Sequence, residues 1–267
     1  MSSAEQLDDF QEFLLDTPDA VDQAIFHGPE AKLGGAEPDL ALRRVRLRIG
    51  RRPIVHNMRR LYEALSVEYP KDLKLFEQYE VWLFSLRLHL LKDGGFNSVR
   101  KLGCQVKYPE DYAVSIVSQL PDSEFITRAG GQVKTSAIFT VTGDVKIPVI
   151  GASAGKASVQ IGGGIHAEAS ADAHLTLSFS VMSDKIVATG TGDYLGEWSV
   201  KRGDQPLLGE QCFLNAVLVP KSQTQLALEM RAYVAVGTPY LVPARLNTDW
   251  IKVVLPLDAN ASVGIET

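Results

Sequence analysis

Two long segments in the middle of the chain alternate apolar and polar residues, and this period of two constrains the fold most. Residues 133–149 carry apolar side chains mainly at odd positions, with Ile138 as the one clear violation, and residues 165–181 alternate without a fault. Successive side chains of a strand point to opposite faces, so both segments predict β-strands with one apolar face. We expect them to be antiparallel neighbours in one sheet.

The charges along the two segments favour one register. If paired residue numbers add up to 314, Lys146 lies opposite Glu168, whereas a sum of 316 sets Asp144 against Asp172. Opposite charges across a pair stabilise a sheet and like charges destabilise it, so we predict the first register. The turn signal Gly143-Asp144 leaves an alternative open, in which the first segment divides into two ordinary strands of a sandwich.

Helical periodicity is confined to the first part of the chain. Ser3 to Gln6 has the form of a capping box, and Thr17-Pro18 offers a second helix start. Apolar residues then recur at spacings of three and four over residues 53–67 and 71–92. Further strands are predicted at 186–189, 198–200, 213–219, 226–236 and 250–255. The sequence therefore predicts an α+β fold: a helical N-terminal region, 1–95, packed on an antiparallel sheet or sandwich formed by 96–267.

The two cysteines and the N-terminal residues limit which thiol chemistry and which cellular compartment are expected. Cys104 and Cys212 cannot form a disulfide framework and lie in no metal-binding spacing, so we predict two reduced, buried thiols. The first residues are acidic where a signal peptide is basic and then apolar, which predicts a cytoplasmic protein, with non-classical export left open. We expect no cofactor.

Charge is distributed unevenly along the first 60 residues. The chain as a whole has a formal charge of -5, which argues against bulk binding to nucleic acid. Residues 1–40 contain ten acids and one lysine, whereas residues 41–60 contain eight arginines and no acid. The arginines are Arg43, Arg44, Arg46, Arg48, Arg51, Arg52, Arg59 and Arg60. They are a candidate site for phosphate or anionic lipid; the alternative is an internal ion-pair network with the neighbouring acids, which we predict within the folded chain.

A metal site is a second candidate. His166, Glu168, Asp172 and His174 fall on one face if 165–181 is a single strand, and neighbours two residues apart lie about 6.6 Å from each other. That span suits two ligands of one zinc-like ion. A solvated polar face is the alternative explanation of the same pattern.

A third pattern matches a hydrolase motif but not its surroundings. Gly151 to Gly155 has the form G-x-S-x-G, which requires a strand, a sharp turn at Ser153 and a following helix. No amphipathic helix follows, so we predict a loop of small residues without catalytic function.

The length and texture of the alternating pair point to membranes. Each segment is 17 residues long, or about 56 Å as a strand, whereas a bilayer-spanning strand needs only about 9 to 11 residues. Between them lies a stretch rich in Gly, Ala and Ser. In this texture the segment is similar to the inserting hairpins of pore-forming proteins such as gasdermins, although no individual position is matched.

These observations rank a non-enzymatic binding or interaction protein first and a pore-forming type of protein, using the hairpin 133–181, second. An enzyme ranks last, because no catalytic constellation is evident. The expected partner is another protein or a second copy of the chain, with an anionic lipid surface as the alternative.

Overall fold

The computed structural model describes the chain in fourteen stretches, which contain seventeen strands and one short helix. The described residues are 10–16, 44–51, 53–64, 77–91, 99–110, 114–120, 126–129, 132–138, 157–162, 165–169, 175–180, 186–203, 206–237 and 244–257.

In chain order, the strands are β1 (Phe10–Asp16), β2 (Arg44–Gly50), β3 (Ile54–Asn57), β4 (Tyr79–Leu90), β5 (Val99–Lys107), β6 (Ser115–Leu120), β7 (Ile126–Ala129), β8 (Gln132–Ile138), β9 (Ala157–Gly162), β10 (Ile165–Ala169), β11 (Leu175–Ser180), β12 (Ile186–Thr189), β13 (Leu195–Lys201), β14 (Gly209–Pro220), β15 (Gln225–Val236), β16 (Ala244–Asn247) and β17 (Ile251–Pro256). The helix, α1 (Met58–Ala64), lies between β3 and β4.

The strands form three antiparallel sheets. Sheet A has the order β1-β2-β4-β14-β6, with β3 also paired to β4. Sheet B has the order β12-β13-β5-β15-β16, with β17 also paired to β15. Sheet C, with the order β7-β8-β11-β10-β9, lies in the chain between β6 of sheet A and β12 of sheet B. The strands predicted from residue 186 onward are confirmed.

The facing sides of sheets A and B form one hydrophobic core. Even-numbered residues of β15, such as Met230 and Val234, face alternate residues of β4, such as Phe84 and Leu88. Aromatic rings fill the middle, where Trp198 of β13 and Phe213 of β14 are fully buried with ring centroids 5.3 Å apart. A second contact joins the sheets at β6, because the Ile116 amide donates to the Asp193 carbonyl in the turn after β12.

The predicted helix over residues 71–92 is wrong, since β4 occupies Tyr79–Leu90. This strand lies between β2 and β14, and α1 packs on its outer side, so it is buried on both faces. Six consecutive residues of β4, from Val81 to Leu86, are buried. An apolar run of this kind satisfies a helical spacing and a buried strand equally well, and periodicity alone cannot distinguish them.

The helical character predicted for residues 1–95 is likewise wrong, so the fold is not a helical region packed on a sheet. Phe10–Asp16 is a strand, and within the described part of the predicted helix 53–67, Ile54–Asn57 is strand β3 and Met58–Ala64 is helical. The capping box at Ser3 and the start at Thr17 lie outside the described residues. The segment before residue 95 contributes β1 to β4 to sheet A, which it shares with β6 and β14.

Candidate functional site

Three of the eight arginines lie on β2, where cross-strand pairing with β1 brings acids beside them. The register sets Asp16 opposite Arg44 and Glu12 opposite Arg48. Arg44 Nε lies 2.6 Å from Asp16 Oδ1, and Arg48 Nε lies 2.9 Å from Glu12 Oε2. Arg46 Nη2 reaches the other oxygen of Glu12 at 2.6 Å. The prediction that the acidic front end pairs with the arginine run inside the folded chain is confirmed for these three arginines.

The remaining arginines have different surroundings. Arg59 and Arg60 lie on α1, where Arg59 Nε lies 3.8 Å from Glu80 Oε1 and Arg60 Nη1 lies 2.9 Å from Glu63 Oε2. Arg51 is exposed at the end of β2. Arg43 and Arg52 lie outside the described residues. Anion binding by this set stays a prediction, and it has to compete with the ion pairs of β1, β4 and α1.

Glu12 is the centre of the β1–β2 ion pairs. Hydrogen bonds from Arg46 and then Arg48 hold the pKa of this carboxyl below its ordinary value of 4.5. A carboxyl whose pKa is lowered in the folded state stabilises that state at any pH above its ordinary pKa. The stabilisation is lost as the pH falls through the lowered pKa. The charge of Glu12 therefore helps to hold β1 on sheet A at neutral pH.

Replacing Glu12 with Gln is expected to destabilise the protein by about 0.5–1 kcal/mol at neutral pH, because partly exposed ion pairs contribute little each. The difference from wild type should shrink as the pH falls below 4.5. Urea unfolding at several pH values measures both effects. The control is Glu63→Gln, which removes an exposed pair within α1 and should cost less. A wild-type-like Glu12 variant at neutral pH would contradict the proposed role of the charge.

The structure describes two of the four residues of the predicted metal site. His166 and Glu168 lie on β10, and Asp172 and His174 fall between β10 and β11, outside the described residues. The single strand that would align all four is not formed, because β10 folds back on β11 with Ala167 opposite Leu177. Within the part of the chain that the structure describes, no group of three metal-ligating side chains comes together. The metal site stays a prediction without that supporting geometry.

The predicted hairpin register is confirmed in part. β8 and β11 are antiparallel neighbours from Thr176 opposite Ile138 to Ser180 opposite Lys134, so the numbers of paired residues add up to 314. The prediction is wrong for 165–169, since β10 pairs with β9 and β11 instead. The other partners in that prediction, including Asp144, Lys146 and Asp172, lie outside the described residues, as do Gly143 and the motif around Ser153.

Both cysteines are confirmed as free and buried. Burial raises the pKa of Cys104 to about 12 and that of Cys212 to about 11. The thiolate is the reactive form of cysteine, so both thiols are inert near neutral pH.

A polar cluster on the outer side of sheet B escapes sequence reasoning, because its members come from four segments. Tyr233 OH donates to Glu197 Oε1 at 2.7 Å, and Gln105 Nε2 donates to the other oxygen of Glu197. Gln105 Oε1 accepts from Arg231 Nε at 2.7 Å. The Arg245 guanidinium lies over the Tyr233 ring at 3.7 Å from its centroid. Burial and the adjacent Glu197 raise the pKa of Tyr233, so its hydroxyl stays a donor.

Two details fix this cluster. The Tyr233 ring lies flat against Gly103, where an added Cβ would sit 2.1 Å from the ring. Arg231 also stacks on Trp250, with 4.4 Å between the guanidinium carbon and the ring centroid. The only sequence signal for the cluster was the alternation of β15, which does not reveal which strands lie beside it.

A groove of about 350 Å³ opens at one end of the same side of sheet B. Its lining includes Lys107 of β5, Ala227 and Glu229 of β15, and Lys252 and Val254 of β17. Lys252 Nζ lies 3.4 Å from Glu229 Oε1. The groove therefore combines an apolar floor with two amines and one carboxylate. Among the described residues, no helix is long and apolar enough to cross a bilayer.

Comparison with known proteins assigns no family. No protein-family model and no curated protein matches the chain. Among solved structures, the chain is similar to Clostridium perfringens delta-toxin, at 9% identity and a TM-score of 0.32, over 79% of this chain and 82% of the toxin. It is similar to the Clostridium perfringens NetB toxin in the membrane-inserted form, at 7% identity and a TM-score of 0.25, over 91% and 95%.

The collagen-binding domain of a Staphylococcus aureus adhesin is also similar, at 5% identity and a TM-score of 0.29, over 67% of this chain and 88% of that domain. TM-scores at this level do not establish a shared fold. The chain is a β-rich protein, and the proposals below depend on its own geometry.

Proposed function

We propose that this chain is a membrane-active, pore-forming type of protein in which sheet C refolds into one long amphipathic hairpin. The observation that carries the proposal is the pairing of β8 with β11, in which paired residue numbers add up to 314. This register is that of a hairpin centred on residue 157, in the middle of the small-residue stretch between the two alternating segments.

The pairing allows the hairpin to grow without a change of register. Continuing it toward residue 157 sets 139–149 opposite 165–175. For this, β10 has to leave β9 and β11, whereas the pairs between β8 and β11 remain in place. A slip of one residue would turn every side chain of a strand to the opposite face, so a preserved register keeps the apolar positions together.

The sequence of the refolding segment suits a bilayer. Once extended, 133–149 and 165–181 each exceed the length of about 9 to 11 residues that a tilted strand needs to cross the apolar core. Odd positions are largely Val, Ile, Leu, Phe and Ala, and even positions are largely Ser, Thr and charged residues. Such alternation gives one lipid-facing side and one water-facing side.

The place of sheet C in the chain supports the same function. The strands on either side of it, β6 and β12, are paired within the sandwich to β14 and β13. Sheet C itself is paired internally, and none of its described strands belongs to sheet A or sheet B. Refolding of sheet C therefore leaves the strand pairs within sheets A and B intact.

Leakage of a dye from vesicles containing anionic lipid tests the proposal. Wild type should release the dye, Leu177→Asp should reduce release strongly, and Ser178→Asp should retain most of it. The two positions are adjacent in β11 but alternate between the apolar and polar rows, and a charged side chain on the lipid-facing side of a strand opposes insertion, whereas one on the water-facing side does not. Circular dichroism and thermal unfolding verify that both variants fold.

No release by folded wild type, from anionic or neutral vesicles, would overturn the proposal. Equal loss in both folded variants would overturn the assignment of the rows. In the first case a non-enzymatic binding protein, the other function that the sequence supports, remains.

A further inference from the structure

We infer that the outer side of sheet B is the surface on which the protein docks to an anionic membrane. The inference rests on the proposed function, because a pore-forming chain needs a first contact with lipid before its hairpin inserts. We call this surface the basic face; it consists of the residues of β5, β12, β13, β15, β16 and β17 that point away from the core.

The strand register defines the basic face. Gly103, which lies under Tyr233, is directly opposite both Ser199 of β13 and Tyr233 of β15. Two residues farther along β5, Gln105 is opposite Glu197 and Arg231. Directly opposed residues of a sheet share a face, so these rows extend across the sheet. The intervening residues of β5 and β15 lie in the core.

Positive charge is concentrated on the basic face. Its cations are Lys101, Lys107, Lys201, Arg231, Arg245 and Lys252, and its strands contribute two carboxylates, Glu197 and Glu229. Both carboxylates are engaged: Glu197 accepts from the Tyr233 hydroxyl and lies 3.8 Å from Arg245, and Glu229 lies 3.4 Å from Lys252. The chain as a whole has a formal charge of -5. The face is therefore opposite in sign to the rest of the molecule and complementary to anionic headgroups.

Exposed apolar side chains lie among these cations. Leu195 is opposite Lys107 and is 39% exposed, Val254 beside Lys252 is 62% exposed, and Val187 of β12 is 45% exposed. Trp250, stacked on Arg231, is 36% exposed. Cations alone would suit any polyanion. Aliphatic side chains and an indole among cations suit the boundary between headgroups and acyl chains, which favours a membrane over a nucleic acid.

The groove at the edge of the basic face adds apolar surface beside two of its lysines. Lys107 and Lys252 border it on either side of Glu229, and Ala227 and Val254 give it an apolar wall. The lysines attract anionic headgroups in general, and the wall can contact acyl chains. On β1 and β2, three arginines lie beside two carboxylates, Asp16 and Glu12, whereas the basic face carries six cations and two carboxylates, which makes the β2 segment the weaker attractor of lipid.

Co-sedimentation with vesicles tests the inference. The probes are phosphatidylcholine vesicles with and without phosphatidylserine. The test variant replaces Lys101, Lys107, Lys201 and Lys252 with Gln. The control variant removes the same charge elsewhere, by replacing Arg44, Arg51, Arg60 and Lys221 with Gln. Each Lys near an anionic surface contributes about 1 kcal/mol, so the loss of four lysines should weaken binding to phosphatidylserine vesicles on the order of 1000-fold. The control variant should bind nearly as wild type does.

Two further measurements separate lipid from other anions. Raising the salt to about 1 M should release wild type, because the screening length falls to about 3 Å. A triple variant with Val187→Thr, Leu195→Ser and Val254→Thr should lose affinity for vesicles but keep any affinity for a short DNA duplex. Tighter binding of wild type to that duplex than to vesicles would overturn the choice of lipid.

The results distinguish the two proposals. If wild type releases dye but both charge variants bind vesicles equally well, the basic face is not the docking surface and the pore-forming function stands. If wild type binds phosphatidylserine vesicles through the basic face but releases no dye, the docking surface stands and the pore-forming function falls.

Discussion

A disulfide between positions 167 and 177 is expected to block dye release completely until it is reduced. Ala167 of β10 and Leu177 of β11 are directly opposed in sheet C. In the extended hairpin the two positions lie ten residues apart on one strand, since residue 177 keeps its pairing with residue 137 and residue 167 pairs with residue 147. Opposed residues of antiparallel strands have Cα atoms about 4.5–5.5 Å apart, within the range of a disulfide. The double variant Ala167→Cys with Leu177→Cys should therefore leak only after a reductant is added.

The matched control places the same bond where nothing is expected to move. Ser136 of β8 and Ser178 of β11 are opposed in sheet C, and the hairpin keeps them opposed. The variant Ser136→Cys with Ser178→Cys should therefore leak as wild type does, oxidised or reduced. The native thiols do not interfere, because Cys104 and Cys212 are buried. Unhindered leakage by the oxidised 167–177 variant, or equal inhibition by both bonds, would contradict the proposed refolding.

The second large effect is on stability. Truncating Trp198 to Ala is expected to cost about 3–5 kcal/mol, since its ring is fully buried between sheets A and B and packs against Phe213 with ring centroids 5.3 Å apart. This is a large fraction of the 5–15 kcal/mol that typically separates folded from unfolded states. Urea unfolding followed by circular dichroism measures the loss, and the variant should unfold at a markedly lower urea concentration.

Trp250→Ala is the control for that measurement. Trp250 is 36% exposed and contacts Arg231 through its ring face, an interaction that contributes about 0.5–1 kcal/mol at an exposed site. Similar losses in the two variants would show that the two sandwich sheets are not held together by the ring pair at their centre.

The sequence predicts best where one face of a strand is buried and the other is wet. The alternation of β15 and of the segment around β8 and β11 identifies strands, and charge pairing predicts the register of β8 with β11. It predicts poorly where both faces are covered. In β4, Val81 to Leu86 are all buried because sheet B lies on one side and α1 on the other, and the resulting apolar run imitates a helix.

Candidate sites were predictable where their residues come from neighbouring segments and were missed where distant strands bring the residues together. The partnership of Arg44 with Asp16 was predictable, because the opposite charges come from adjacent segments. The cluster of Glu197, Tyr233 and Arg245 was not, since three strands and a long-range register bring these residues together. The predicted metal site failed to gain support because alternation cannot show that a strand folds back, as β10 does on β11.

The partners of the central strands set the order in which this chain can fold. Along the pairing of β4 with β14, partners are 119 residues apart at Leu90 and Gly209 and 141 apart at Tyr79 and Pro220. The pairing of β5 with β15 also joins distant segments, for example Gly103 with Tyr233. Contacts between distant segments slow folding, because the entropy of closing the intervening loop is lost before the contacts form. Sheet C, which lies in the chain between β6 and β12, is therefore synthesised before sheets A and B can be completed. A ribosome-bound chain that ends before residue 209 has neither the β4–β14 pair nor the β5–β15 pair.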